Sequence, residues 1–568
     1  MPSLDVSELN IVLSVLGAFT VLYGVISIKI KRVWYLGEAL PAMVVGIILG
    51  PIAAKFIDSE RWGSAQGGQT QAISLGVMRV MIGVQLVIAG FQLPAKYQLT
   101  RWKEMAMCLL PIMTMMWLCT TLCMMATVPK LTFLAALVIG SCVTCTDPIL
   151  SQAIAKGPFA DKYVARDLRE IISSEAGAND GFGFPFLMLA TYLIKHAEGH
   201  AASAAGDAAS EGHGVAADIA SHLAGRAIDL LGRSEHELAR LGGGVGAAMK
   251  DWFVETWVYV VILSVVYGVT VGWLARKAIT YALSKRWIDG ESYLLFPTAL
   301  GLFLIGTCGA LGTDDLLACF VAGNALNWDG EYLEETEQRH DEVNACVDVL
   351  LNFGGFMYIG AIMPWSEFNQ PDVTGLTYGR LVALGFLVLV FRRIPAIFVM
   401  YKLMPGVCKD WKEALFMGYF GPIGAGAVFY LEHTRNHLFH DPGAGDPEVS
   451  SLVQAIGPVV MWLVFFSIVV HGLSIPALDF AYRCLNIKPI QEDAVETRRL
   501  SINLPTPSNA IEADRETFIQ YNRFSRPTFD AVELPVVNPK EDYPTSASDS
   551  NMSKERAITF DDKGERSQ

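Results

Sequence analysis

The 568 residues are 52% hydrophobic and only 18% charged, below the roughly one quarter charged of an ordinary soluble domain, so lipid is the expected solvent. The formal net charge of −14 comes from acidic residues crowded into 194–251, 328–342 and the tail after 489, while the charges beside apolar stretches are mostly basic. No basic stripe is interleaved with aromatics, which argues against a nucleic-acid partner.

In chain order, apolar runs of about twenty residues, the length a bilayer core demands, fall near 9–29, 34–54, 72–93, 104–127, 131–155, 168–193, 252–275, 291–310, 314–327, 344–364, 379–401, 411–431 and 451–481. An all-α polytopic membrane protein of about thirteen spans is therefore predicted, the ninth span being the shortest. The first run lacks a basic leader and is followed by Lys29, Lys31 and Arg32, so it reads as a span rather than a cleaved signal. Lys and Arg gather after odd-numbered spans, as at Lys96, Arg101 and Lys103, or Arg276, Lys277, Lys285 and Arg286. The positive-inside rule then places residues 1–8 outside and the C-terminal tail in the cytoplasm. The acidic loop 328–342 also falls inside, where acidic residues weigh little in that rule.

Residues 194–251, rich in Ala, Gly and Ser, are expected as an extracellular low-complexity loop with helical character at 215–241. Its histidines (His196, His200, His213, His222 and His236) fit no zinc spacing, so a solvated loop is the plainer reading. Residues 484–568 gain Pro, Ser, Asp and Glu, the composition of a mostly disordered tail. Within it Ser501 follows Arg498 and Arg499 and is a candidate phosphosite. The ten cysteines lie in or beside apolar stretches. Even Cys142-x-x-Cys145 has no partner histidine, so free thiols acting as small hydrophobes are favoured over redox or metal chemistry.

An ionisable group inside a membrane helix is costly unless paired or hydrated, so each one is a functional candidate. In the sixth span, SSEAGANDGFGFPF (173–186), Glu175 and Asn179 are four apart and share a helical face, with Asp180 about 100° around. A lone carboxylate there holds either a proton or a desolvated cation, and the two compete. The alternative is a helix end, since Gly-Ala-Asn-Asp-Gly resembles turn chemistry, yet 168–193 is continuously apolar around the site. In the fifth span, Thr146-Asp147-Pro148 frees backbone carbonyls at Pro148 and adds side-chain oxygens suited to a hard cation such as Na+. In the twelfth, GYFGPIGAGAVF (418–429) carries Gly421, Pro422, Gly424 and Gly426, so an unbroken helix is not expected. The fifth and twelfth spans are the middle members of spans 4–6 and 11–13. Matching interruptions point to two inverted six-helix repeats whose discontinuous helices cross at a midplane ion site, with the seventh span as connector.

Arg392 and Arg393 sit midway along the eleventh span, too deep for both to snorkel easily. One of them is expected to pair with Glu175, leaving Asp180 to titrate; the plainer alternative sends both to the cytoplasmic surface. Asp314-Asp315 stands at the outer end of the ninth span, where an N-cap is the simple reading. For Arg79, Glu38 and Asp348, mutual pairing is expected.

The stretches TCTDPILSQAI, EAGANDGFGFPF, GTDDLLACFVAGNALNW and YFGPIGAGAVF closely resemble fungal plasma-membrane sodium/proton antiporters of the monovalent cation/proton antiporter superfamily. The resemblance covers about 9–483. It implies thirteen helices, a homodimer, a core domain (104–193 and 379–481) and a dimerisation domain (9–93 and 252–364). It also implies that Asp180 is the ion-binding carboxylate for Na+ and Asn179 its neighbour, with Asp147 and Thr146 on the first crossing helix. The family's ion pair falls on Glu175 and Arg393, with Arg392 as rival, and its acidic pair on Asp314 and Asp315. The function implied is exchange of intracellular Na+, with Li+ and K+ left open, for extracellular H+. No cofactor is expected, and cytoplasmic regulators of the tail are.

Three other readings compete. A sodium-coupled symporter of a small organic solute needs a roomier midplane pocket with groups for that solute. An intramembrane hydrolase needs a motif such as HExxH or GxSxG in a span, and none is there. A receptor or scaffold has no need of midplane carboxylates. A secondary transporter rather than an enzyme is the expectation.

Overall fold

Inside lipid a chain must satisfy its own backbone polar groups, so apolar runs fold as helices and irregular backbone survives only where protein lines it. The computed structural model describes residues 8–57, 69–155, 157–197, 242–339, 343–439, 446–487, 494–498, 510–512 and 517–521. Met1–Pro527 form one unit, and the second, Thr528–Gln568, lies outside the described residues.

The first half comprises α1 (Glu8–Ile28), α2 (Ala39–Leu49), α3 (Gln69–Phe91), α4 (Trp102–Thr127), α5 (Phe133–Cys142), α6 (Pro148–Ala155), α7 (Arg166–Asn179) and α8 (Phe184–Lys195). The second comprises α9 (Gly244–Lys285), α10 (Gly290–Leu311), α11 (Asp315–Leu326), α12 (Val343–Ala361), α13 (Tyr378–Phe391), α14 (Ile394–Met400), α15 (Trp411–Tyr419), α16 (Ala425–His433) and α17 (Pro447–Cys484). Among the described residues eight helical segments are long and apolar enough to cross a membrane, so the chain is a multi-pass membrane protein. The other expected spans are short (α2 and α11) or interrupted, so helix length alone does not reproduce the count of thirteen.

The interruptions have local causes. The fifth span stops at Cys142 and restarts at Pro148, a residue suited to a first helical turn. The twelfth stops at Tyr419 and restarts at Ala425 across Phe420-Gly421-Pro422-Ile423-Gly424. The sixth was expected to run unbroken, but the α-helix ends at Asn179, turns through Asp180–Gly183 and resumes at Phe184. Asn, Asp and two glycines supply the turn, and Pro185 sits in the new first turn. The eleventh also breaks, at Arg392-Arg393, because Pro395 lies at the start of α14.

Other boundaries move. The seventh span was expected over 252–275, yet α9 begins at Gly244 and ends only where Arg286 turns left-handed at φ 56°. No proline interrupts it. The described ends of the 194–251 segment are therefore partly helical, and its residues 198–241 lie outside the described residues. The acidic loop 328–342 carries a helix, Glu331–Gln338, steadied by an Arg339–Glu335 pair. In the tail, otherwise of disordered composition, β1 (Ala494–Arg498), β2 (Ala510–Glu512) and β3 (Thr517–Tyr521) form an antiparallel sheet in the order β1-β3-β2.

Small residues let helices touch backbone to backbone, as membrane packing favours. A Cβ at Gly90 of α3 would lie 2.6 Å from the Phe320 carbonyl oxygen of α11, and one at Gly268 of α9 would lie 2.6 Å from that of Ala318. Helix α11 is thereby clasped between α3 and α9. Its own N-terminus lies against the turn after Asp180, since a Cβ at Gly181 would sit 2.5 Å from Leu317 Cβ.

Candidate functional site

The interrupted fifth and twelfth spans meet at their breaks. The Asp147 N–H donates to the Pro422 carbonyl at 2.9 Å. The Asp147 carboxylate accepts from Leu150 N–H at 2.9 Å through Oδ1 and from Ala425 N–H at 2.5 Å through Oδ2. One side chain thus caps the first turns of both α6 and α16, where unpaired N–H groups and the positive ends of the helix dipoles favour negative charge. The opposite ends carry the opposite solution. The Arg392 guanidinium donates to Gly421 O at 2.7 Å, Thr144 O at 3.1 Å and Cys145 O at 2.9 Å, just beyond the C-termini of α15 and α5. Carbonyls freed by the two breaks converge on one buried cation.

Asn179 ties the end of α7 to the first break. Its Nδ2 donates to Thr146 Oγ1 at 2.7 Å and its Oδ1 accepts from Thr146 N–H at 3.1 Å. The next residue, Asp180, is fully buried, and neither of its carboxylate oxygens has a hydrogen-bond partner. Its backbone carbonyl accepts from Tyr430 OH at 2.5 Å. Both carboxylates face the start of α16: a Cβ at Gly426 would stand 2.5 Å from Asp180 Oδ1, and one at Gly424 would overlap Asp147 Oδ2. Asp180, Asn179, Asp147 and Thr146 are therefore brought together around one half-helix end.

Glu175, one turn before Asn179, has a partner. Arg393 Nη1 and Nη2 reach its Oε1 and Oε2 at 2.6 and 2.7 Å, a bidentate pair in which both residues are buried. Arg392, the rival, takes carbonyls instead, and neither arginine reaches a surface, being 3% exposed each. Gly421 leaves room for Arg393, whose Cδ would collide with a Cβ there.

Asp314 is the N-cap of α11, accepting from Leu317 N–H at 3.0 Å, while its other oxygen is buried and unpartnered. Asp315 accepts from Arg79 Nε at 2.7 Å. Mutual pairing of Arg79, Glu38 and Asp348 is thus corrected: Arg79 joins Asp315, Glu38 meets Lys31 and Asn352 Nδ2, and Asp348 accepts from Gln85 at 2.7 Å. Nearer polar groups take each of the three first. All ten cysteines are free. Among the described residues no three His, Cys, Asp or Glu side chains cluster to hold a metal. His196 is buried, with Nδ1 2.7 Å from Gly242 O and Nε2 2.9 Å from Asp251; the other loop histidines and Ser501 lie outside the described residues.

Sequence reasoning missed the roles of four contributors. Arg392 was weighed as a pair for Glu175 or as a residue reaching the surface, and nothing in its spacing gives its carbonyl partners. Tyr430 directly follows the glycine-rich stretch without a charge to flag it. Of Ser467 and His471, which hold the second break, His471 had a usable signal, an ionisable side chain inside an apolar span, and Ser467 had none.

Crossed, interrupted helices with buried carboxylates at the crossing are the architecture of ion-coupled secondary transporters. Over residues 15–480 the chain matches the family model described as sodium/hydrogen exchanger, transmembrane, and it belongs to that family. It is 33% identical over 486 residues to Na(+)/H(+) antiporter 2 of Zygosaccharomyces rouxii, a match covering 84% of this chain and 53% of that protein. It is 30% identical over 483 residues to a Na(+)/H(+) antiporter of Schizosaccharomyces pombe, covering 84% and 91%. The chain spans about half the length of the first of these relatives. The sodium proton antiporter MjNhaP1 from Methanocaldococcus jannaschii shares the fold, with a TM-score of 0.53 at 14% identity, over 82% of this chain and 100% of that one.

Proposed function

We propose that the chain is a secondary antiporter that exchanges intracellular Na+ for extracellular H+ by alternating access, the two cations competing for Asp180. The observation that carries this reading is the contrast within one span: Glu175 is held by Arg393, while both oxygens of the buried Asp180 are unpartnered. A desolvated carboxylate of that kind takes a proton or a cation, and binding one excludes the other. Asp147, tied to two helix N-termini, and Thr146 complete an oxygen-lined site suited to a hard monovalent cation. The relatives' names favour antiport and lend nothing to an organic-solute symporter. The same reading includes a homodimer in the plasma membrane, the N-terminus outside, and a cytoplasmic tail that receives regulators.

The test is reconstitution of the full chain into vesicles with an imposed pH gradient. Addition of Na+ is expected to collapse the gradient, with Li+ and K+ compared alongside. Proton flux that stays at the empty-vesicle level with every cation overturns the proposal.

A further inference from the structure

The second break is held at its two ends by one side of α17. His471 Nε2 lies 3.0 Å from the Tyr419 carbonyl oxygen, the last residue of α15. A carbonyl only accepts, so this bond forms when Nε2 carries a proton; Nδ1 also faces a carbonyl, that of Ser467 at 2.9 Å. Ser467, one turn earlier and on the same face, accepts from Ile423 N–H at 2.7 Å. The two α17 residues also contact each other, Ser467 Oγ lying 3.0 Å from His471 Nδ1. Both are buried, and together with Tyr419, Gly421, Arg392 and Arg393 they line one cavity.

Between these two anchors the irregular backbone has further fixed points: Gly421 O on Arg392, Pro422 O on Asp147 N–H, and Ala425 N–H on the Asp147 carboxylate. The last two involve a proposed ion ligand itself. Any shift of 419–425 is therefore passed to Asp147 and to the start of α16, which faces Asp180. We propose that His471 and Ser467 are positioning residues for the ion site: they set the register of the interrupted segment against Asp147 and so set cation affinity, without touching the cation. This inference rests on the antiporter reading above.

Side-chain length separates this role from mere packing. Glutamine at 471 carries an amide nitrogen about as far out as imidazole Nε2, whereas asparagine reaches only to the level of Nδ1. In vesicles holding the full chain, His471→Gln is expected to keep the KM for Na+ within about twofold of wild type. His471→Asn and Ser467→Ala are expected to raise it roughly tenfold, the scale of one lost buried hydrogen bond, with maximal rate little changed. Thermal melting of each purified variant in detergent checks that folding is intact. Equal KM values for the Gln and Asn variants, or an unaltered KM in Ser467→Ala, overturn the inference while leaving exchange standing. Absence of Na+-dependent flux in wild-type vesicles overturns the underlying reading and this one with it.

Discussion

The two breaks that meet at the crossing solve the same problem with different materials. Between α5 and α6 the chain brings side chains: the Thr146 hydroxyl, bonded to Asn179, and the Asp147 carboxylate, bonded across to Ala425. Between α15 and α16 it brings backbone and space. Pro422 O and Ala425 N–H bond Asp147, and Gly424 and Gly426 leave the volume that the carboxylates of Asp147 and Asp180 fill. An ion site in lipid needs ligands and the room to hold them, and each half of the fold supplies one of these.

The largest effects are expected on the ligand side. Asp180→Asn removes both the charge and the exchangeable proton with little change of shape, so Na+-dependent proton flux should fall to the empty-vesicle background in a protein that inserts and melts normally. Near-normal flux would remove Asp180 from the centre of the mechanism. Asp147→Asn should leave a residual rate, because an asparagine oxygen still caps a helix start although the charge is gone. If the two variants proved equally dead, Asp147 would be an obligatory ligand and not chiefly a brace.

The next effect is on stability. Breaking the Glu175–Arg393 pair with Glu175→Gln leaves an uncompensated buried cation and should cost about 3–5 kcal/mol. Adding Arg393→Gln should recover part of the loss in thermal melting. Arg392→Gln should not, since Arg392 bonds carbonyls of both breaks and its removal leaves them unsatisfied. Rescue by Arg392→Gln would mean that the guanidinium groups exchange roles.

Smaller changes test the space on the other side. Gly424→Ala and Gly426→Ala each push a methyl against a carboxylate, and overpacking of this kind costs about 1–3 kcal/mol. Cation affinity measured by exchange should weaken roughly 5- to 150-fold, the equivalent of that energy. Gly17→Ala, with nothing within 4 Å of the added carbon, is the matched control and should leave exchange unchanged. A Gly426→Ala variant with native affinity would show that Asp180 moves away from α16 when it binds.

The same contrast explains what the sequence disclosed. Carboxylates and prolines in apolar runs are conspicuous, so Asp147, Asp180, Glu175 and the breaks at Pro148 and Pro422 could be read directly. Glycine announces a break but not what fills the space beside it, and only the fold matches Gly424 to Asp147 and Gly426 to Asp180. The turn after Asn179 was hidden because hydrophobicity continues on both sides of it, though the turn-forming residues were in view. Arg392 escaped because its partners are backbone carbonyls from two spans distant in sequence. A side chain bound to backbone leaves no complementary residue type to find.

The smallest effect is expected farthest from both breaks. Every residue proposed to touch the ion lies before residue 484, so removing 500–568 takes away no ligand, no half-helix and neither buried arginine. It does remove β2 and β3, which pair with each other, and β3 is the strand paired with β1, so β1 loses its neighbour. Rate and KM for Na+ should stay within about twofold of the full chain, less than half a kcal/mol. What should change is the response to regulators. Phosphorylation of Ser501 would add about −1.5 to −2 charges two residues from Arg499 and three from Arg498 in sequence. Its influence on exchange, measured with and without kinase treatment, should vanish along with the residue. A truncated chain that inserts and melts like the full one, yet exchanges no Na+, would instead make the tail part of the transport machinery.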